Sequence, residues 1–331
     1  MTETDEAELE LDTLPGVGPA TKTKLKDAGI ETILDLATAA PMDIAEAVDI
    51  DVSKAVDLNN KARKKLVELN RLEPDFMNAA DLLAKRKAID RISTGSKNLD
   101  DLLGGGIETW AMTEFFGEFG SGKSQICHTL CVMVQQPKGE GGLGAGAIYI
   151  DTEGTFRPER IAEIAEAREL DSDKILSRIT VARAYNSAHQ ELIVKDLGRV
   201  IEPNKVKLVI LDSAVAHYRA EFLGRGTLAE RQQRLNKFMH QLLRTAEIYN
   251  IAVVVTNQVQ AAPDSFFGDP TRPTGGHVVA HTSTYRVYLR KAAKNRIARM
   301  VDSPYHPERD TVFVLNERGI DDPPEESTRK K

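Results

Sequence analysis

From about residue 91 onward, short unbroken apolar runs alternate with stretches of helical spacing. The runs are 113–117, Ala147-Ile148-Tyr149-Ile150, 178–182, Leu208-Val209-Ile210-Leu211 and Ala252-Val253-Val254-Val255, and helical spacing falls near 158–169, 187–202 and 228–249. A strand that is apolar at every position must be covered on both faces. Such strands alternating with helices predict an α/β domain with a mostly parallel sheet between two helical layers. Three later segments, 284–290, 296–301 and 311–315, alternate polar and apolar positions and predict an antiparallel extension. Residues 11–70 differ: their apolar positions recur at helical spacing with short breaks and no strand-like alternation, which predicts a small all-α domain. Residues 71–90 read as a linker with a short helix. The predicted organisation is an acidic disordered tail (1–10), the helical domain (11–70), the linker (71–90), the α/β core (91–322) and a C-terminal tail (323–331).

Within the core, Gly117-Glu118-Phe119-Gly120-Ser121-Gly122-Lys123-Ser124 fits G-x-x-x-x-G-K-[ST], the phosphate-binding P-loop. Glycines let the backbone turn tightly, so successive N–H groups face one concavity. Lys123 is placed to reach the β- and γ-phosphates and Ser124 to hold Mg²⁺. The helix beginning there, with Gln125 in its first turn, adds the positive end of its dipole. The context is right: Thr113-Glu114-Phe115-Phe116 reads as a buried strand and 125–134 as a helix. Strand 208–211 ends in Asp212, an acid at a strand's carboxyl end that suits the Mg²⁺ shell, through water. Strand 147–150 ends in Asp151-Thr152-Glu153-Gly154, and strand 252–255 in Thr256-Asn257-Gln258. Carboxyl ends of parallel strands line the ligand crevice. Glu153 is therefore a candidate to orient or deprotonate an attacking water, and Gln258 to sense the γ-phosphate. A plain turn carboxylate is the other reading of Glu153. Arg160 is placed either to stack on adenine or to sit on a helix surface.

Composition narrows the class. A 331-residue chain with 41% hydrophobic and 28% charged residues is that of an ordinary globular protein. It has no run of eighteen apolar residues, and its acidic start lacks a signal peptide's apolar region. A cytoplasmic protein is expected. Cys127 and Cys131, four apart on the P-loop helix, read as packing residues, since two cysteines without nearby histidines do not complete a zinc site. The net charge of −6 hides basic clusters at 219–234 and 286–299, which can bind phosphate whatever the total.

Two kinds of element point to nucleic acid. Leu14-Pro15-Gly16-Val17-Gly18, followed by Lys22 and Lys24, matches a helix-hairpin-helix turn. Gly16 and Gly18 expose backbone N–H groups to a DNA phosphate and Lys22 adds charge. A plain interhelical turn fits the same residues. A second copy near Ala47-Val48-Asp49-Ile50 has Asp49 where glycine is wanted and reads as structural only. Long loops follow strands 208–211 and 252–255. The first carries Arg219, Arg225 and Arg231. The second, 260–283, carries Phe266, Phe267, Arg272, Gly275 and Gly276. Long loops in a compact domain are commonly functional, and arginine with glycine suits a phosphate backbone. Mobile solvated loops are the bland alternative.

Taken together, Gly117–Gln125, Tyr149 to Arg160, Gly224-Arg225-Gly226-Thr227-Leu228, Thr256-Asn257-Gln258-Val259, Phe267-Gly268-Asp269-Pro270-Thr271-Arg272-Pro273 and Gly275-Gly276-His277 resemble the archaeal RadA recombinases of the RecA/RadA strand-exchange superfamily. The resemblance covers nearly all of 11–322. It implies a RecA-like P-loop ATPase core behind a helix-hairpin-helix domain. The implied activity is ATP- and Mg²⁺-dependent exchange of single- and double-stranded DNA on a helical filament or ring of identical subunits, with recombination mediators as possible partners. It makes Glu153 the catalytic glutamate and 213–231 and 260–283 the DNA-binding loops. Phe76 and Ala79 become an F-x-x-A polymerisation motif, Phe76 entering an apolar pocket on the next protomer. Asp302, Pro307 and Glu308 become a cap on a neighbour's nucleotide, and His281 a residue that answers the γ-phosphate. Some positions depart from the pattern: Ala261-Ala262-Pro263 where an arginine is frequent, His306 where leucine is usual, and Lys291 to Arg296 without the usual glycines. A RecA-fold helicase, an ATP-binding mediator without strand exchange, and a small-molecule kinase remain as rival readings. The F-x-x-A and loop signatures weigh against the helicase, the N-terminal helices against the mediator, and the missing substrate lid against the kinase.

Overall fold

The computed structural model describes residues 10–69, 72–74, 76–224, 226–261, 271–274 and 276–324. The tails expected at 1–10 and 323–331 therefore lie almost wholly outside the described residues. The chain divides into two compact units, Met1–Lys87 and Ala88–Lys331. Among the described residues, no helix is long and apolar enough to cross a membrane.

The first unit is helical, with helices Pro19–Asp27, Ile33–Thr38, Pro41–Val48, Val52–Glu68 and Ala79–Lys87. Their starts follow local chemistry. Pro19 and Pro41 open two helices, where a missing N–H costs nothing. Thr32 and Asp35 form a capping box, and Asp51 accepts from the Lys54 amide. Leu11, Leu25, Ile33, Leu36, Ile44 and Leu66 are fully buried together. Asn59, also buried, donates its side-chain amide to the carbonyls of Leu36, Ala37 and Ala39 at 2.8, 3.0 and 3.1 Å. It thereby satisfies the open end of helix Ile33–Thr38. Asp49 takes φ +60°, the backbone state that glycine would hold at that helix end.

The second unit contains β1 (Arg91–Ile92), β2 (Ile107–Glu108), β3 (Ala111–Gly117), β4 (Gly146–Asp151), β5 (Ile179–Arg183), β6 (Val206–Asp212), β7 (Ala252–Ala261), β8 (Thr271–Pro273), β9 (Tyr285–Ala292), β10 (Asn295–Asp302), β11 (Asp310–Asn316) and β12 (Gly319–Asp321). The main sheet runs β12-β11-β10-β9-β3-β7-β6-β4-β5, with β8 pairing β7. The five strands β3 to β7 and their neighbour β9 are parallel, while β9 to β12 form an antiparallel meander. The mostly parallel sheet and its antiparallel extension match the expectation.

Period-two alternation explains the continuous apolar runs. Phe115, Tyr149, Leu208, Ile210 and Val254 face one side, against Ile126, Cys127, Leu130 and Cys131 of helix Lys123–Met133. Met112, Ile148, Ile150, Val209, Val253 and Val255 face the other, against Leu235, Phe238, Met239 and Leu242 of helix Leu228–Tyr249. Both cysteines are buried and unbridged, as packing residues should be. The helix expected over 187–202 is two, Ser187–Lys195 and Gly198–Ile201.

Candidate functional site

The parallel strands end in register. Gly117 pairs with Gln258, and Asp151 with Asp212. Residues far apart in sequence thus reach one edge of the sheet together. β3 runs into the loop 118–122 and helix Lys123–Met133 leaves it. Gly120 and Gly122 take φ +75° and +109°, which L-residues rarely hold. At Gly117 a Cβ would stand 2.1 Å from the Leu289 carbonyl oxygen, so that position tolerates only glycine. Lys123 closes the loop by donating to the carbonyls of Gly117 at 2.8 Å and Glu118 at 2.9 Å. Burial pushes the pKa of Lys123 down, while Asp212 and Glu153 pull it back up. The Ser121 hydroxyl is buried without a hydrogen-bond partner. An unpartnered hydroxyl, a left-handed glycine loop, a half-buried ammonium and a helix N-terminus together suit a polyphosphate. Ser124 and Asp212 supply only oxygen, the donor type Mg²⁺ takes.

Asp212 is buried, and two hydroxyls hold it. Tyr149 donates to Oδ2 at 2.6 Å and Thr256 donates to Oδ1. Glu153 is exposed and accepts from the Gln258 amide at 3.1 Å. The two residues singled out for water activation and phosphate sensing are therefore in contact. Next to Gln258, Asn257 is fully buried and donates to Glu114 at 2.8 Å and to the Thr274 carbonyl at 2.6 Å. Glu114 in turn accepts from Arg286 at 2.7 Å. This buried chain ties the polar end of β7 to Thr274, at the far side of the second loop. Sequence reasoning placed Thr256 at the crevice without its bond to Asp212, and missed Tyr149, Glu114 and Arg286 as site-shaping groups. Tyr149 and Glu114 lie in apolar runs, where they read as core.

Arg160 donates to Gln125 Oε1 at 2.9 Å and to the Asn316 carbonyl at 2.5 Å, which ties its helix to the P-loop helix. His281 lies exposed in helix His277–Thr282. Asp302 ends β10, and Pro307 and Glu308 are exposed before β11.

The first loop needs correction. Arg219 is exposed on helix Ala216–Glu221, and Arg231 falls in the first turns of helix Leu228–Tyr249, its Nε buried and unpartnered. Tyr218, fully buried against Phe222 and Phe238, holds the segment helical, so 213–231 is not one long loop. Arg225 lies outside the described residues. In the second loop Gly275, Phe266, Phe267 and Ala262 also lie outside them, and Arg272 is described only as backbone of β8. Gly276 has φ +63° and precedes helix His277–Thr282.

In the first unit Gly16 takes φ +103° and Gly18 caps helix Pro19–Asp27. Lys22 is not a spare cation: it pairs with Glu10 at 2.6 Å and Asp12 at 2.8 Å. Phe76 is 94% exposed, unusual for phenylalanine. Asn78 caps the helix that Ala79 opens, accepting from the Asp81 amide at 2.9 Å.

Behind Asp212, His128 is 2% exposed, stacked on Tyr149 with ring centroids 5.6 Å apart, and neither ring nitrogen has a hydrogen-bond partner. Burial pushes its pKa down to about 4, with Asp212 opposing. In the unfolded chain it titrates near about 6.5. The folded pKa is the lower one, so the unfolded chain binds more protons between those values. Stability therefore falls as pH falls through that window. Between pH 7 and pH 5 this amounts to about 2 kcal/mol. Denaturant titrations at the two pH values should show that loss, and the His128→Gln variant a pH dependence smaller by the same amount.

A family model described as Rad51 matches residues 85–323, and one described as a SAM-like helix-hairpin-helix tandem matches residues 8–64. The DNA repair and recombination protein RadA of Cenarchaeum symbiosum (strain A) is 52% identical over 315 residues, which span 95% of this chain and 79% of that protein.

Proposed function

The chain belongs to the Rad51 family, and on that premise we propose that it is an ATP-dependent DNA strand-exchange recombinase acting in recombination and repair as a filament of identical subunits. The observation that carries the reading is the contact between Glu153 and Gln258, 3.1 Å apart at the strand ends beside the P-loop. In this reading Lys123 and the loop amides hold the phosphates. Ser124 and Asp212 would hold Mg²⁺, Asp212 through water. An ion held there would neutralise negative charge on the phosphates. Glu153 accepts a proton from the attacking water, and Gln258 senses the γ-phosphate through its bond to Glu153. Arg160 supports the P-loop helix through Gln125, and its guanidinium face is the proposed cover for adenine.

The route from nucleotide to DNA runs through Asn257, which follows Thr256 and precedes Gln258 and grips Thr274. A change at Gln258 therefore reaches the base of the second loop. Arg219, Arg225, Arg231, Arg272, Gly275 and Gly276 are the proposed DNA contacts, with Gly16 and Gly18 holding duplex phosphate. Such backbone contacts position the strand and leave sequence testing to base pairing. Asp302, Pro307, Glu308 and His281 are the proposed contacts to a neighbour's nucleotide.

Phe76, exposed on its own subunit, is the proposed anchor to the next. A repeated head-to-tail contact generates a helix of subunits. Loss of such an aromatic anchor costs about 2–4 kcal/mol per contact, roughly 30- to 1,000-fold in affinity. Electron microscopy with circular single-stranded DNA and a slowly hydrolysed ATP analogue should show long filaments for the wild type. Phe76→Ala should give short particles or free subunits. Unchanged filaments from that variant would remove Phe76 from the interface, and no wild-type filaments would sink the recombinase reading.

A further inference from the structure

The exposed carboxylate of Glu153 sits on a turn, where a side chain ordinarily samples many positions. Catalysis by a general base tolerates little such freedom: a displacement near 1 Å costs about 10²-fold. Gln258 holds one end of Glu153, at its head. The backbone beneath is held by a residue two positions earlier.

Asp151 is 5% exposed and ends β4, paired with Asp212 on one side and Arg183 on the other. Its Oδ1 accepts from the amides of Glu153 at 3.1 Å, Gly154 at 2.7 Å and Thr155 at 3.2 Å, and its Oδ2 from that of Phe156 at 3.3 Å. Arg183 Nη1 approaches Oδ1 at 3.1 Å. Four successive N–H groups thus converge on one buried carboxylate, with a cation behind it. Bonds to a charged acceptor are about twice as strong as neutral ones. The turn is also boxed in sterically. Gly154 takes φ +73°, and a Cβ there would meet both terminal guanidinium nitrogens of Arg183 at 3.1 Å.

We propose that Asp151 is the positioning residue of the hydrolytic step: its carboxylate gathers the turn 153–156 and fixes the Glu153 backbone against β4 and β5, so that Glu153 meets the attacking water in one orientation. The inference rests on the assignment of Glu153 as the general base. It makes a claim that a merely structural cap does not, namely that the loss falls on turnover and spares nucleotide binding.

The test measures ATP hydrolysis by the full chain on single-stranded DNA, binding of a non-hydrolysed ATP analogue, and thermal unfolding. Asp151→Ala should lower kcat about 10- to 100-fold, with KM and analogue affinity within about 3-fold of wild type. Asp151→Asn keeps an acceptor oxygen toward the amides and should recover kcat to within about 5-fold. Gly154→Ala leaves the carboxylate in place and crowds the turn, and it should show the same kcat-selective loss. A kcat for Asp151→Ala within about 2-fold of wild type overturns the proposal, as does a loss of analogue binding as large as the loss of kcat. Should Asp151→Ala fail to fold, Gly154→Ala decides: normal turnover there overturns the proposal. Glu153→Gln is run alongside. If it hydrolyses normally, the assignment of Glu153 itself fails. If it is inactive while Asp151→Ala is normal, only the positioning role fails.

Discussion

Lys123→Ala is expected to abolish ATP binding and strand exchange. The ammonium is half-buried, lies under the influence of Asp212 and Glu153, and pins the loop through the Gly117 and Glu118 carbonyls. A triphosphate arriving there would trade those carbonyls for phosphate oxygens. Alanine removes both the loop closure and the charge. Two charge-assisted hydrogen bonds amount to about 3–5 kcal/mol, or roughly 10²- to 10⁴-fold in Kd. Isothermal titration with ATP and a D-loop assay read the two consequences separately. Undiminished D-loop formation by the variant would refute the ATP-dependent recombinase reading, since Lys123 is the cation that closes that loop.

Glu153→Gln separates binding from turnover. The substitution keeps the shape and keeps an acceptor for the Gln258 amide, but it cannot take up a proton. Loss of a general base costs about 10²- to 10⁴-fold in rate. ATP binding and filament assembly should survive, so filaments should persist on single-stranded DNA where wild-type filaments turn over. Phosphate release, followed with electron microscopy over the same interval, reads both. Turnover within about 3-fold of wild type would leave Glu153 as an ordinary turn carboxylate.

Much of the site was legible because its parts are local. The P-loop is eight contiguous residues, and its glycines and Lys123 act on the backbone beside them. Asp212, Glu153 and Gln258 were found as polar residues ending apolar runs, since parallel strands place their carboxyl ends at one edge. Their contacts were not legible. Glu153 and Gln258 are 105 positions apart, and only the order of β4, β6, β7 and β3 brings them together. Tyr149 was hidden because a tyrosine in an apolar run reads as core. Its ring does pack in the core, but its hydroxyl reaches Asp212. Lys22 read as a cation for DNA, and two acids upstream engage it instead. The first loop read as long because its arginines and glycines suggest solvent, whereas Tyr218 buries itself and folds part of it into helix.

The amino-acid order alone determined the α/β class, the helical N-terminal unit, the phosphate loop and the family resemblance. The first three depend on periodicity or on backbone preferences expressed within about ten residues, and the resemblance on an ordered set of motifs along the chain. The tertiary structure decided which hydroxyls hold Asp212, that Gln258 holds the side chain of Glu153 and Asp151 its turn, and that the buried line from Glu114 through Asn257 ends at Thr274. Those contacts depend on strand order and register. A one-residue slip in register would turn the strand side chains among them to the opposite face of the sheet.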